Sequence, residues 1–121
     1  MSATVEHVLE LMSGFGAVTT RKMFGAVALY HAGLIFGMVD DDVLYLKGDD
    51  ALKPEFEKEK LDQFSYESKS GGRTAMSYWR APERCLDDSI EMKLWCRKTY
   101  EAALRSQKPA KKSITKTKPK K

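Results

Sequence analysis

Val5, Val8, Leu9 and Met12 fall at i, i+3, i+4 and i+7. That single apolar stripe predicts an amphipathic helix over residues 4–13. Ser2 or Thr4 suits its start and Gly14 its end. The period then changes. Residues 17–22 and 26–30 read as two strands, 34–39 is a continuous apolar run, and 43–47 is rich in β-formers. His31-Ala32-Gly33 and Asp40-Asp41-Asp42 are turn sequences between them. Connections this short force antiparallel neighbours, hence a meander. An unbroken apolar run such as 34–39 is expected to be a central strand, buried on both faces.

Further on, Pro54 fits only a first helical turn, which places a short helix near 53–60. Phe64–Glu67 and Thr74–Trp79 read as two more strands, joined by the loop Ser68-Lys69-Ser70-Gly71-Gly72. Pro82 stops the last strand, and Asp87 or Asp88 caps a helix running to about Ser106. Met92, Cys96, Tyr100 and Ala103 recur at helical spacing with Ile90, Leu94 and Leu104 beside them, a broad face expected to pack on the sheet. Trp95 lies off that stripe. It is the candidate dimer-interface residue, expected to cover a sheet edge or meet a second subunit. The sum is an α+β domain: an antiparallel sheet of about five to six strands, with an N-terminal helix and a long C-terminal helix on one face.

Charge divides the chain. The formal net charge of +4 hides seven lysines, Lys108, Lys111, Lys112, Lys116, Lys118, Lys120 and Lys121, in a stretch without a single acid. The other 14 basic residues face 17 acidic ones, so the body is formally −3. The expected organisation is a folded domain over 1–105 and a lysine-rich tail over 106–121, too poor in apolar residues to order itself. Such a tail can bind DNA or RNA weakly and without sequence preference, by neutralising phosphates. No apolar run reaches membrane-spanning length, and the start lacks the basic-then-apolar pattern of a secretory leader. A cytoplasmic protein without membrane contact is the expectation.

Candidate chemistry is sparse. Cys85 and Cys96 lack metal-ligand spacing and form no disulfide framework, so they read as structural thiols, and neither metal nor cofactor is expected. Gly14-Phe15-Gly16 resembles the start of a dinucleotide loop but follows a helix and enters a strand, the reverse of the order a Rossmann loop needs. Ser70-Gly71-Gly72-Arg73-Thr74 lacks the lysine and the helix of a phosphate loop. Glu55, Glu57 and Glu59 alternate with Lys58 and Lys60 as a solvated face would. No catalytic residue is assigned. The candidate binding residues are Arg21, Lys47, Tyr78, Trp79 and Arg80. Together they have the chemistry to stack on bases or hold phosphate. The simpler reading makes Trp79 core, along with Met23 and Phe24, and pairs the arginines with carboxylates of the body.

Several stretches together resemble the TfoX/Sxy N-terminal domain family: Arg21-Lys22-Met23-Phe24-Gly25, Gly33-Leu34-Ile35-Phe36-Gly37-Met38, Leu44-Tyr45-Leu46-Lys47, Phe64-Ser65-Tyr66 and Met76-Ser77-Tyr78-Trp79-Arg80-Ala81-Pro82-Glu83. The resemblance covers about residues 3–105. It implies an α+β domain of secretion-chaperone-like topology, a homodimer, and a non-enzymatic part in regulation. The family's namesake controls competence genes in bacteria through a chain with a second domain, where this chain carries lysines. The signature at Arg21–Gly25 then reads as mainly architectural, with Gly25 making the bend and Arg21 pairing locally. Three functions follow: a regulatory or interaction module with a protein partner in gene regulation, a nucleic-acid binder acting through the tail, and a small enzyme acting on nucleic acid or nucleotide.

Overall fold

The computed structural model describes residues 2–23, 25–67 and 73–111. Helix α1 (Ala3–Leu11) starts where the Ser2 hydroxyl accepts the Val5 N–H at 3.2 Å, and a short 3₁₀ turn over Met12–Gly14 closes it. Strands β1 (Thr19–Met23), β2 (Ala26–His31), β3 (Leu34–Asp40) and β4 (Val43–Lys47) follow as an antiparallel meander. Ala32 and Gly33 both have positive φ, and so do Asp41 and Asp42. Each pair is the two-residue turn whose twist matches that of the strands it joins. Gly25, at φ +83°, makes the bend between β1 and β2. Phe24 beside it lies outside the described residues, as does the loop 68–72.

After β4 the chain forms α2 (Lys53–Lys58), with Pro54 in the first turn, then β5 (Gln63–Glu67), β6 (Arg73–Arg80) and α3 (Ser89–Lys111). Asp88 is the residue that caps α3, its carboxylate accepting the Ile90 N–H at 2.9 Å. The strand order is β1-β2-β3-β4-β6-β5, so β6 inserts between β4 and β5 and the sheet has six antiparallel strands. The α+β architecture read from the pattern is the one observed. β3 lies inside the sheet, as expected, and is buried from Phe36 to Val39.

All three helices pack on one face. Val5, Val8 and Met12, Phe56 of α2, and Met92 and Cys96 of α3 share a core with Leu29, Phe36, Leu46 and Trp79. Between β2 and β3 the pairing steps from Leu29–Gly37 to Tyr30–Ile35, which leaves Phe36 as the extra residue of a bulge. The bulge takes the Phe36 carbonyl out of the ladder. Thr99 of α3, fully buried, places its hydroxyl within reach of that carbonyl (3.0 Å) and of the Lys47 carbonyl. With one proton it donates to one of them at a time. Gly48 makes room for the parallel stack of Phe56 on Trp79, centroids 5.0 Å apart. A Cβ there would lie 2.7 Å from the Trp79 ring and 2.8 Å from Phe56.

Three expectations about α3 are corrected. Its buried positions are Met92, Trp95, Cys96, Thr99, Ala102 and Ala103, a regular i, i+3, i+4, i+7 series. Trp95 is 3% exposed and packs on Phe56 at 5.4 Å, so it belongs to the chain's own core and presents no interface. Ile90, Leu94 and Leu104 do not pack on the sheet; they are 70%, 45% and 41% exposed. The helix also runs to Lys111 rather than Ser106, so the backbone of Lys108 and Lys111 is helical. Lys112, Lys116, Lys118, Lys120 and Lys121 lie outside the described residues. Among the described residues no helix is long and apolar enough to cross a membrane.

Candidate binding surface on the open sheet face

Side chains directly opposite in an antiparallel ladder share a face. The register therefore sorts the sheet into rows. One row, Thr20–Leu29–Gly37–Leu46–Trp79–Gln63, lies under the helices. The next, Arg21–Ala28–Met38–Tyr45–Arg80, crosses five strands on the opposite face. Tyr30–Ile35 and Lys47–Tyr78 belong to that second face too. Ala28, Met38 and Tyr78 are buried at 0%, 9% and 7% exposure, yet none belongs to the helix-side core. They form a second packed patch, on the face that none of the described helices covers.

Of the five candidate binding residues, Arg21, Lys47, Tyr78 and Arg80 meet on this open face. Trp79 does not: alternation along β6 turns it into the core, so the simpler reading holds for that residue. Lys47 places its ammonium 5.3 Å from the centre of the Tyr78 ring, and Arg21 its guanidinium carbon 6.0 Å from that of Tyr30. Arg21 thus sits over an aromatic ring, and the expected local carboxylate partner is not what holds it. Among the described residues no carboxylate lies within ion-pair distance of Arg21, Lys47 or Arg80. Arg80 ends its row beside a small cleft of about 60 Å³, where Asp42 and Glu83 come near it.

Burial, and secondarily the nearby Tyr30, raise the Tyr78 phenol above its ordinary value of 10.0. Tyr78 stays neutral and serves as the floor of the patch. Tyr30, Tyr45 and Phe64 are half-buried, and Tyr45 meets Phe64 edge-on at 5.0 Å. These partly exposed side chains give the face accessible aromatic surface. Reading motif by motif passed over Tyr30 and Tyr45 as site residues. The signal was present in the two-residue alternation Ala28, Tyr30 on β2 and Tyr45, Lys47 on β4.

The remaining reactive groups serve packing. Cys85 and Cys96 are free and buried, and burial pushes both thiols up to about 12, far from a reactive thiolate. His7 and His31 hydrogen-bond the carbonyls of Leu86 and Ala17, each at 2.7 Å. A cleft of about 440 Å³ beside the start of α1 sets Lys22 against Asp41 and Asp42, so it presents both signs of charge. Among the described residues no three His, Cys, Asp or Glu side chains converge as a metal site would need.

The TfoX N-terminal domain profile matches residues 10–103, 94 of the 121 positions. Comparison with curated proteins gave no match.

Proposed function

The chain belongs to the TfoX N-terminal domain family, and from that premise we propose that it is a non-enzymatic regulatory module working by binding through its open sheet face. The family supports a regulatory or interaction role in general. The finer reading is control of gene expression in the manner of the competence regulators. One observation carries the choice of surface: Arg21 and Lys47 lie over tyrosines with no carboxylate in ion-pair distance among the described residues, on a face whose centre is already packed. A cation held on a ring keeps its charge available to an incoming anion.

The test is genetic. The gene is deleted in its host, transcripts are measured, and the strain is complemented with the wild-type chain or an Arg21→Glu/Lys47→Glu variant. Wild type restores the transcript profile and the variant does not. Unchanged transcripts on deletion overturn the regulatory reading, and full restoration by the variant overturns the role of the face.

Self-association is part of the same proposal, with its seam moved from Trp95 to the exposed Ile90 and Leu94, one helical turn apart on α3. Sedimentation should show a micromolar dimer that Leu94→Glu dissociates; a monomer at high concentration rejects it.

A further inference from the structure

We infer that the open sheet face binds single-stranded nucleic acid, with bases laid on the rings of Tyr30 and Tyr45 and phosphates held by Arg21, Lys47 and Arg80. This rests on the reading of that face as the working surface and names its ligand class.

Charge is the first ground. The body is formally −3 without the tail lysines, yet Arg21 and Lys47 on this face have no carboxylate within ion-pair distance among the described residues, and Arg80, with Asp42 and Glu83 near its cleft, adds a third positive charge; that concentration runs against the average. Elsewhere Arg84, Arg105 and Lys98 are each held by an acid. An anion is the complementary partner. Asp40, Asp41 and Asp42 close one end of the face at the β3–β4 turn and bound the track that phosphates can follow.

The rings decide which anion. Tyr30 on β2 and Tyr45 on β4 stand two strands apart and one side-chain row out of step, roughly 12 Å at the usual strand spacing and rise. Stacked bases along a duplex strand are about 3.4 Å apart. Two rings this far apart match splayed bases of an extended strand, whose faces are free to stack. A duplex hides its base faces and offers this surface phosphates alone. A second copy of the chain fits poorly, because a two-fold contact here would set Arg21 and Lys47 against their own images. An acidic peptide would satisfy the cations and leave the rings unmatched.

The experiment titrates the full chain with a labelled thymidine oligonucleotide of about 15 residues and with a duplex of equal length, at two salt concentrations. The tail lysines act on both forms, whereas the face favours the single strand. The wild-type chain should therefore bind the single strand roughly tenfold tighter than the duplex. Arg21→Ala/Lys47→Ala should lose most of that preference and flatten the log–log salt slope by about 1.4, at roughly 0.7 per lost contact. Tyr45→Ala should weaken single-strand binding roughly tenfold without changing the slope, and Tyr45→Phe, which keeps the ring, should bind as wild type. Thermal melts check that each variant is folded. Equal binding of both forms, unchanged by the variants, assigns all binding to the tail and overturns the inference. So does absence of single-strand binding at low salt, or a change of oligomeric state in the double variant, which would mean that a second copy covers the face. Transcripts that respond to gene deletion while single strands go unbound would refute this ligand and leave the regulatory module standing.

Discussion

The two faces of the sheet use the same residue types differently. In the helical layer, Arg84 grips Glu59 through two bonds of 2.7 Å and Glu91 at 2.8 Å, Arg105 holds Asp49 at 2.6 Å, and Lys98 reaches Glu55. Apart from Arg84–Glu91, each pair joins residues 25 or more positions apart, so these charges tie elements together. On the open face Arg21 and Lys47 form no ion pair among the described residues; they lie over tyrosines. Aromatic residues divide in the same way. Phe56, Trp79 and Trp95 interlock among helices and sheet, while Tyr30 and Tyr45 keep part of their rings outside. A fold that needed the open-face cations for stability would have paired them. Their arrangement separates what holds the domain from what the domain offers.

The strongest way to break this comparison is to truncate one aromatic from each face. Trp79→Ala removes a buried, stacked ring and should cost about 3–5 kcal/mol in urea unfolding. Tyr45→Ala should cost roughly 1–2 kcal/mol, since its ring is half outside. Equal costs would mean that the open face is as structural as the covered one. Thr99→Val sharpens the comparison at the place where the faces meet. It keeps shape but leaves the Phe36 and Lys47 carbonyls without their donor, so unfolding should come about 1–3 kcal/mol easier. A neutral result would show that water satisfies both carbonyls.

The smallest effect is acid sensitivity. Hydrogen bonding from Arg105 lowers the Asp49 carboxyl below its ordinary 3.8, and that from Arg84 lowers Glu59 below 4.5. Depressed folded values mean that the stabilisation is complete above the ordinary values and is lost as pH falls through the lowered ones. These pairs are partly exposed, so each contributes about 0–1 kcal/mol. Melting between pH 5 and 2, with Asp49→Asn and Glu59→Gln as references, measures it. A loss above pH 5 would point to other groups.

Much of this was legible in the residues. Two-residue turns, the Pro54 helix start and the alternating strands carry local signals that later packing reinforces. The error over α3 has a physical origin. The series 92, 95, 96, 99, 102, 103 was present, but Ile90, Leu94 and Leu104 made a rival apolar face. What decides between them is Phe56, which docks from a helix upstream, 39 residues before Trp95, and gives Trp95 a partner. No local pattern announces such a contact. The candidate site divided for a similar reason. Tyr78 and Trp79 are neighbours in sequence, and only the pairing of β6 with β4 fixes which of them faces the helices. The bulge at Phe36 shifts the alternation of β3 by one, which hides its inward side from any strict period of two.

The strand order also has a consequence in time. Strands β1 to β4 are consecutive and closed by tight turns, so their pairings form within a short loop of chain and early. The partner of β4 on its other side is β6, which arrives only after α2 and β5 have been traversed. During that interval Val43–Lys47 is a bare strand edge rich in apolar residues, the kind of edge that recruits other chains. The same Arg73–Arg80 strand that brings Tyr78 and Arg80 to the open face is thus the element that ends this exposure. A nascent chain halted before it would leave the edge unprotected.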